Sequence, residues 1–236
     1  MPVLALDTSA AVAVAVTDDA GRTLSTRSVA EQRRHAELLA PMIVEVLADA
    51  GVDRSALTAV VAGTGPAPFT GLRVGLVTAR TLALALGVPV HGVSSLDAVA
   101  LRAVDALGLA EGAEVLVVAD ARRREVYWAR YRVTAAAGSP AGAGIELVAG
   151  PGVDSPARVA AEHAGGAVVV GRGGVLHPDA LPLAPGAPLD PDPADLARLA
   201  LARLAAAGPG ALLATEPLYL RRPDAVPTAE RKRALG

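Results

Sequence analysis

Short apolar runs that stop at a polar corner alternate along this chain with longer stretches of helical period. Residues 3–7, Val-Leu-Ala-Leu-Asp, read as a buried strand closed by an acid, and Thr8-Ser9-Ala10 turns the chain. An apolar run at 12–17, a hairpin turn at Asp18-Asp19-Ala20-Gly21 and an alternating run at 22–29 complete a three-stranded meander. The period then changes. Leu39, Met42, Ile43, Val46 and Ala50 share a face, which predicts a helix over 35–50 with Glu37, Glu45 and Asp49 on its polar side and Gly51 at its end. Pro41 either kinks this helix or starts its regular part. A strand at 57–62, a helix at 72–86 ended by Gly87 and Pro89, a strand at 90–93 and a helix to about Leu107 capped by Ser94 or Ser95 follow.

The second half opens like the first. Residues 115–120 form an apolar run ending in Asp120, Ala121-Arg122-Arg123-Arg124 turns, and 125–131 reads as a strand carrying Tyr127, Trp128 and Tyr131 as packing groups. Asp7 and Asp120 hold equivalent places, a weak internal repeat that points to two related lobes. We place them at 1–108 and 109–236, with the C-terminal segment returning to the first. Residues 135–144 form a small-residue loop, a flexible tip. A strand at 145–149, a helix at 156–163, a strand at 167–170 and a glycine turn at 171–174 follow. That turn resembles a phosphate loop only loosely, because such turns are common after strands. A proline-rich stretch at 181–193 leads into a helix reaching Ala207, then an extended segment at 216–221 and a charged, mobile tail from Ala229.

The chain is organised around Gly63-Thr64-Gly65-Pro66-Ala67-Pro68-Phe69-Thr70-Gly71, a glycine-proline loop between strand and helix that holds the single phenylalanine. Two uses are open. Backbone N–H groups at the helix start can hold an anion, or the loop sets the angle of a docking helix. No Gly-Lys-Ser or Gly-Lys-Thr ending makes it a P-loop. On the helix, Leu72, Gly75, Leu76, Ala79, Leu82, Ala83 and Leu86 share one broad face, and Gly75 and Ala79 allow another backbone to come close. Arg73 and Arg80 form its charged stripe. Such apolar width suits either a helix buried on both sides in its own domain or a partner surface.

Composition narrows the chemistry. The hydrophobic fraction is 52% but aromatics are only 2%, so alanine, valine and leucine build the core. Without cysteine, disulfides, thiol catalysis and thiolate metal sites are excluded, and the single lysine, Lys232, excludes a core Schiff base. We read the arginine bias as genomic base composition. A formal charge of −2 leaves no footprint for nucleic-acid binding by the chain alone. No membrane span and no signal peptide are expected, which leaves the cytoplasm by default.

No Gly-x-Ser-x-Gly elbow and no His-x-x-x-His pair occurs, and the histidines stand at 35, 91, 163 and 177. His35 reads as a surface or interface side chain. Asp7 and Asp120 either hold magnesium through waters across an interlobe cleft or cap their local turns. The arginines at 122–124 read as a solvated turn.

Leu4-Ala5-Leu6-Asp7-Thr8-Ser9, the stretch Gly65 to Gly75, Asp120-Ala121-Arg122 with Glu125-Val126-Tyr127, and Glu216-Pro217-Leu218-Tyr219-Leu220-Arg221 together resemble the TsaB (YeaZ) family, in order and spacing. Ala67 and Pro68 depart from it, standing where the family has glycine and serine. The resemblance implies an α/β, actin-like ATPase (ASKHA, ribonuclease H-like) fold of two lobes. It implies a place in the bacterial system that puts threonylcarbamoyl on the adenosine beside the tRNA anticodon. The catalytic relative, TsaD, carries a metal-binding histidine pair where this chain has only His35. TsaB-like proteins are the non-catalytic subunit that pairs with TsaD, works with TsaE and meets tRNA only through the complex.

The first two helices carry that pairing, so the expected interface is His35, Leu38, Leu39, Met42, Val46, Leu72, Gly75, Leu76, Ala79, Leu82 and Leu86. A homodimer would use the same surface when the chain is isolated. No intrinsic cofactor is expected, and ATP or ADP would sit at the partner interface. Asp7, Thr8, Ser9 and Asp120 remain a weak nucleotide or magnesium set. The alternative is a nucleotide-dependent transferase or phosphohydrolase of the same fold that uses Asp7 and Asp120 with magnesium.

Overall fold

The apolar runs at 3–7 and 12–17 become neighbouring antiparallel strands, β1 (Val3–Asp7) and β2 (Val12–Thr17), whose residues are all buried. Continuous burial, rather than alternation, means that both faces of the sheet are covered. The structure is a computed structural model that describes residues 1–30, 34–137 and 144–221. The tail from Ala229 and most of the small-residue loop at 135–144 lie outside the described residues.

β3 (Thr23–Val29) pairs antiparallel with β2, β4 (Ala59–Gly63) pairs parallel with β1, and β5 (Val90–Val93) pairs parallel with β4. The sheet order is therefore β3-β2-β1-β4-β5. α1 (His35–Asp49) and α2 (Phe69–Leu86) cover one face with a core that includes Leu4, Leu6, Val12, Val14, Leu39, Val46, Leu72 and Ala79. α3 (Ser95–Leu107) follows β5. On the other face, Leu196 and Leu199 of the C-terminal helix pack with Leu101 of α3 against Val3 and Val61.

β6 (Glu114–Asp120), β7 (Val126–Ala135), β8 (Gly144–Asp154) and β9 (Ala167–Val170) form a second sheet, order β8-β7-β6-β9. Here too the first three strands are antiparallel and the fourth joins the first in parallel. α4 (Pro156–His163) precedes β9, α5 (Arg172–Leu176) follows it, and α6 (Pro193–Ala207) is the last helix among the described residues. The two sheets thus repeat one pattern, with Asp7 and Asp120 at the ends of the corresponding strands β1 and β6.

The structure departs from the sequence reading in places with clear causes. α2 begins at Phe69 rather than Leu72, because Pro68 at φ −57° already sets the entry and first-turn N–H groups need no preceding carbonyl. β8 runs through Gly150-Pro151-Gly152. That strand lies at the sheet edge, where a missing N–H breaks no ladder, and a register shift opposite Trp128 and Arg130 absorbs the kink. The glycine turn at 171–174 starts a short helix.

An ion-pair network ties α6 to α3. Arg102 Nε donates to Asp195 Oδ2 at 2.7 Å, and Arg198 Nη1 reaches Asp195 at 2.8 Å and Asp105 at 2.6 Å. Arg203 holds Asp97 at 2.6 Å, and the buried Tyr131 hydroxyl donates to the same carboxylate at 2.7 Å. Burial pushes Tyr131 well above the ordinary phenol range, with the Asp97 charge adding to it.

Candidate functional site

The two strand-end aspartates make the same local bond. Asp7 Oδ1 accepts from Ser9 N at 2.7 Å, and Asp120 Oδ1 accepts from Arg122 N at 2.7 Å. Each carboxylate caps the corner two residues on. Asp7 also accepts from Ser9 Oγ and Ser95 Oγ, both at 2.6 Å, so both of its oxygens are engaged. Burial raises its pKa, and the serine bonds counter only part of that rise. Gly63 makes the packing possible, because a Cβ there would lie 1.9 Å from Asp7 Oδ2. The other Asp120 oxygen lies 3.3 Å from Arg122 Nη1.

Between the lobes, Ser9, Pro66 and Ser95 face Asp120, Arg172 and Asp190 across a cavity of about 40 Å³. Ligand pockets run to roughly 300–1,000 Å³, so in this conformation the cleft has room for little more than a water. Arg172 Nε closes it by donating to Asp190 at 2.7 Å.

The organising loop is tied to its own chain. Thr64 N donates to Val93 O at 2.8 Å, Gly65 N to Ser95 Oγ at 3.2 Å and Ser95 N to Gly65 O at 2.8 Å. The Gly65–Pro66 bond is cis. Thr8 Oγ1 donates to Gly71 O at 2.8 Å, and a Cβ on Gly75 would come within 2.3 Å of the same hydroxyl. The close approach that Gly75 permits is therefore to the β1–β2 corner, not to another helix.

That finding belongs to a wider correction. Leu39, Met42, Val46, Leu72, Gly75, Leu76 and Ala79, expected at a partner surface, are buried within this chain, all but Gly75 in the hydrophobic core of the first sheet. The sheet needs one apolar face from each helix, and these residues supply it. His35, Leu38, Leu82 and Leu86 are half-buried, and His35 sits against Gly71. What the helices turn outward is a second set: Val44 (67% exposed) on α1, and Val77 (60%) and Leu84 (84%) on α2. The helical period sets Val77 and Leu84 apart from the face shared by Leu72, Leu76 and Ala79, and the structure leaves them uncovered. α2 is also, among the described residues, the one helix long and apolar enough to cross a membrane, where no such stretch was expected.

The arginine stripe of α2 has partners. Arg73 Nε donates to the Tyr219 hydroxyl at 2.8 Å, and Arg80 grips Thr215 through Oγ1 at 3.0 Å and O at 2.8 Å. These bonds, with Leu218 N to Thr64 O at 2.9 Å, lay the C-terminal segment along the first lobe. Tyr219 then stacks on Phe69 with centroids 5.1 Å apart, and the Arg73 guanidinium lies 3.3 Å over the Phe69 ring.

Opposite stands the turn after β6. Arg122, Arg123 and Arg124 all hold positive φ, at 62°, 53° and 61°. Each costs about 1–2 kcal/mol in a non-glycine residue, so this turn, exposed to solvent as expected, has a specific shape as well. Arg221 clamps it, donating to Ala121 O at 3.0 Å and pairing with Glu125. Phe69, Tyr219, Arg122, Arg123 and Arg221 together line a cavity of about 440 Å³. Sequence reasoning missed this site. Its signals were the single phenylalanine inside the loop and the place of Phe69, Arg122, Tyr219 and Arg221 in the stretches that carry the family resemblance.

The fold and its cleft define a two-lobed α/β protein whose two sheets repeat one pattern. The family model described as "TsaD: tRNA N6-adenosine threonylcarbamoyltransferase" matches residues 27–171. YeaZ from Pseudomonas aeruginosa superposes with a TM-score of 0.73 at 34% identity, covering 93% of this chain and 99% of that one. The Escherichia coli protein named tRNA threonylcarbamoyladenosine biosynthesis protein TsaB is 36% identical over 133 residues, about 55% of each chain. Uncharacterized proteins of Mycobacterium leprae and Mycobacterium tuberculosis are each 42% identical, over 95% and 87% of this chain. This chain spans 56% of the length of the first and 84% of the second. The chain belongs to the TsaB (YeaZ) family.

Proposed function

We propose that this chain is a non-catalytic scaffold subunit in the biosynthesis of tRNA threonylcarbamoyladenosine, pairing with a TsaD-type protein and working with TsaE in the cytoplasm. The observation that carries the reading is the exposure of Val44 on α1 and of Val77 and Leu84 on α2. Neither helix needs these residues for its own sheet, and side chains this apolar on adjacent helices suit a helix-on-helix contact. A second copy of the chain would use the same face when the partner is absent. The engagement of both Asp7 oxygens by serines, and of Asp120 by Arg122, favours turn-capping over magnesium binding. In this reading ATP or ADP belongs at the partner interface rather than in the narrow interlobe cleft.

The test is reconstitution. The TsaD-type protein of the same cell should co-purify with this chain, and threonylcarbamoyl transfer to tRNA should require both. Full transfer without this chain, or turnover of ATP by this chain alone that Asp7→Ala abolishes, would refute the scaffold role.

A further inference from the structure

We propose that the cavity between the Phe69–Tyr219 pair and the 121–124 turn binds an unpaired nucleotide, with the base against the aromatic pair and the phosphate on the arginines. The shared chemistry is an aromatic base carrying a phosphate, which a single RNA strand or a free nucleotide can supply. The choice of RNA as first probe rests on the tRNA-pathway reading above. The cavity itself is a separate feature from the outer face of α1 and α2.

Three observations converge. First, Phe69 and Tyr219 are the large aromatics left most open, 42% and 41% exposed, in a chain with only five aromatic residues. The fold holds them stacked at the surface rather than in a core, and exposed rings are what unpaired bases stack on. Second, the flanking segments 120–125 and 219–221 carry Arg122, Arg123, Arg124 and Arg221 against Asp120 and Glu125. Of these, Arg122, Arg123 and Arg221 line the cavity itself. Guanidinium groups both fork onto phosphate and stack on bases. Third, the cavity is preformed. Its volume of about 440 Å³ falls in the ligand range. Arg221 on Ala121 O and Leu218 on Thr64 O fix its walls, and the backbone of the turn is held in a left-handed run.

The test uses the full chain without a partner. Fluorescence anisotropy follows a labelled unstructured RNA oligonucleotide in one arm and a labelled ATP analogue in the other. Phe69→Ala should weaken binding roughly 5- to 150-fold, the value of one base stack, and Phe69→Tyr should retain it. Arg123→Glu should weaken binding and make the salt slope for RNA shallower by about 0.7 for each phosphate no longer neutralised. Arg158→Glu, an exposed arginine on α4, should change neither. Binding of RNA with this pattern supports a strand as the ligand, and the same pattern with the ATP analogue alone supports a free nucleotide. Should Phe69→Ala melt early, Phe69→Tyr and Arg123→Glu still decide the question. Binding of neither probe overturns the proposal, as does weakening by Arg158→Glu equal to that by Arg123→Glu. Pairing with the TsaD-type protein can fail without touching this result, and the converse also holds.

Discussion

Leu84→Arg is the sharpest probe of the pairing surface. Leu84 sits on the outer face of α2 at 84% exposure, so the isolated subunit should lose no more than about 0.5 kcal/mol, the usual range for surface changes. In a complex that covers this face, the change removes a leucine burial of roughly 1.5–3 kcal/mol. The weakening is then roughly 10- to 150-fold, before any cost of burying the new charge. Isothermal titration against the TsaD-type partner reads the affinity, and a thermal melt of the free subunit reads the fold. Val77→Arg, on the same helix, should behave alike. Unchanged affinity in both variants, with unchanged melts, would refute the outer-face assignment. Ala79→Arg cannot serve as this probe. Its side chain is fully buried in the core of the first sheet, so an arginine there would unfold the lobe and abolish pairing for a trivial reason.

Other substitutions test the site's internal logic. Gly75→Ala drives a Cβ into Thr8 Oγ1 and should cost about 1–3 kcal/mol by urea denaturation. Thr8→Ala should relieve much of that in a double-mutant cycle, and additive losses would show that the clash is not the cause. Asp7 has a folded pKa raised chiefly by burial, so its contribution to stability is greatest below the unfolded value of about 3.9. That contribution falls as pH rises through the folded value. Wild type should therefore lose stability relative to Asp7→Asn on going from acid to neutral pH, and a gain over that window would contradict the burial argument. Arg124→Gly should stabilise the chain by about 0.5–1 kcal/mol, because glycine relieves the left-handed backbone at some cost in chain entropy. A loss in the thermal melt would show that the side chain holds the turn.

Much of the fold was legible because its signals are local. The double strand-end aspartate, the hairpin turn at 18–21 and the apolar runs of the two parallel strands each sit within a few residues of chain. The helix faces were legible only halfway. The 3.6-residue period of α2 separates Leu72, Leu76 and Ala79 from Val77 and Leu84, but it does not say which side meets the sheet and which meets a partner. The broader stripe was assigned to the partner, and the sheet claims it instead. The site at Phe69 was less legible still, because Tyr219 lies about 150 residues away and no pattern links the two.

By itself, then, the sequence determined two lobes of one repeated design, a chain without thiol chemistry, and a family resemblance carried by four short stretches. These follow from residue types and short spacings, which a linear chain states directly. Only the tertiary structure decided that α1 and α2 bury most of the expected interface and expose Val44, Val77 and Leu84. It alone seated both aspartates as turn caps over a cleft with little room, and brought Arg73 to Tyr219 across 146 positions. The reason is physical. Which of two apolar faces is covered depends on how much sheet lies beneath it, and which distant side chains meet depends on where the C-terminal segment is laid, and neither quantity is written in the local sequence.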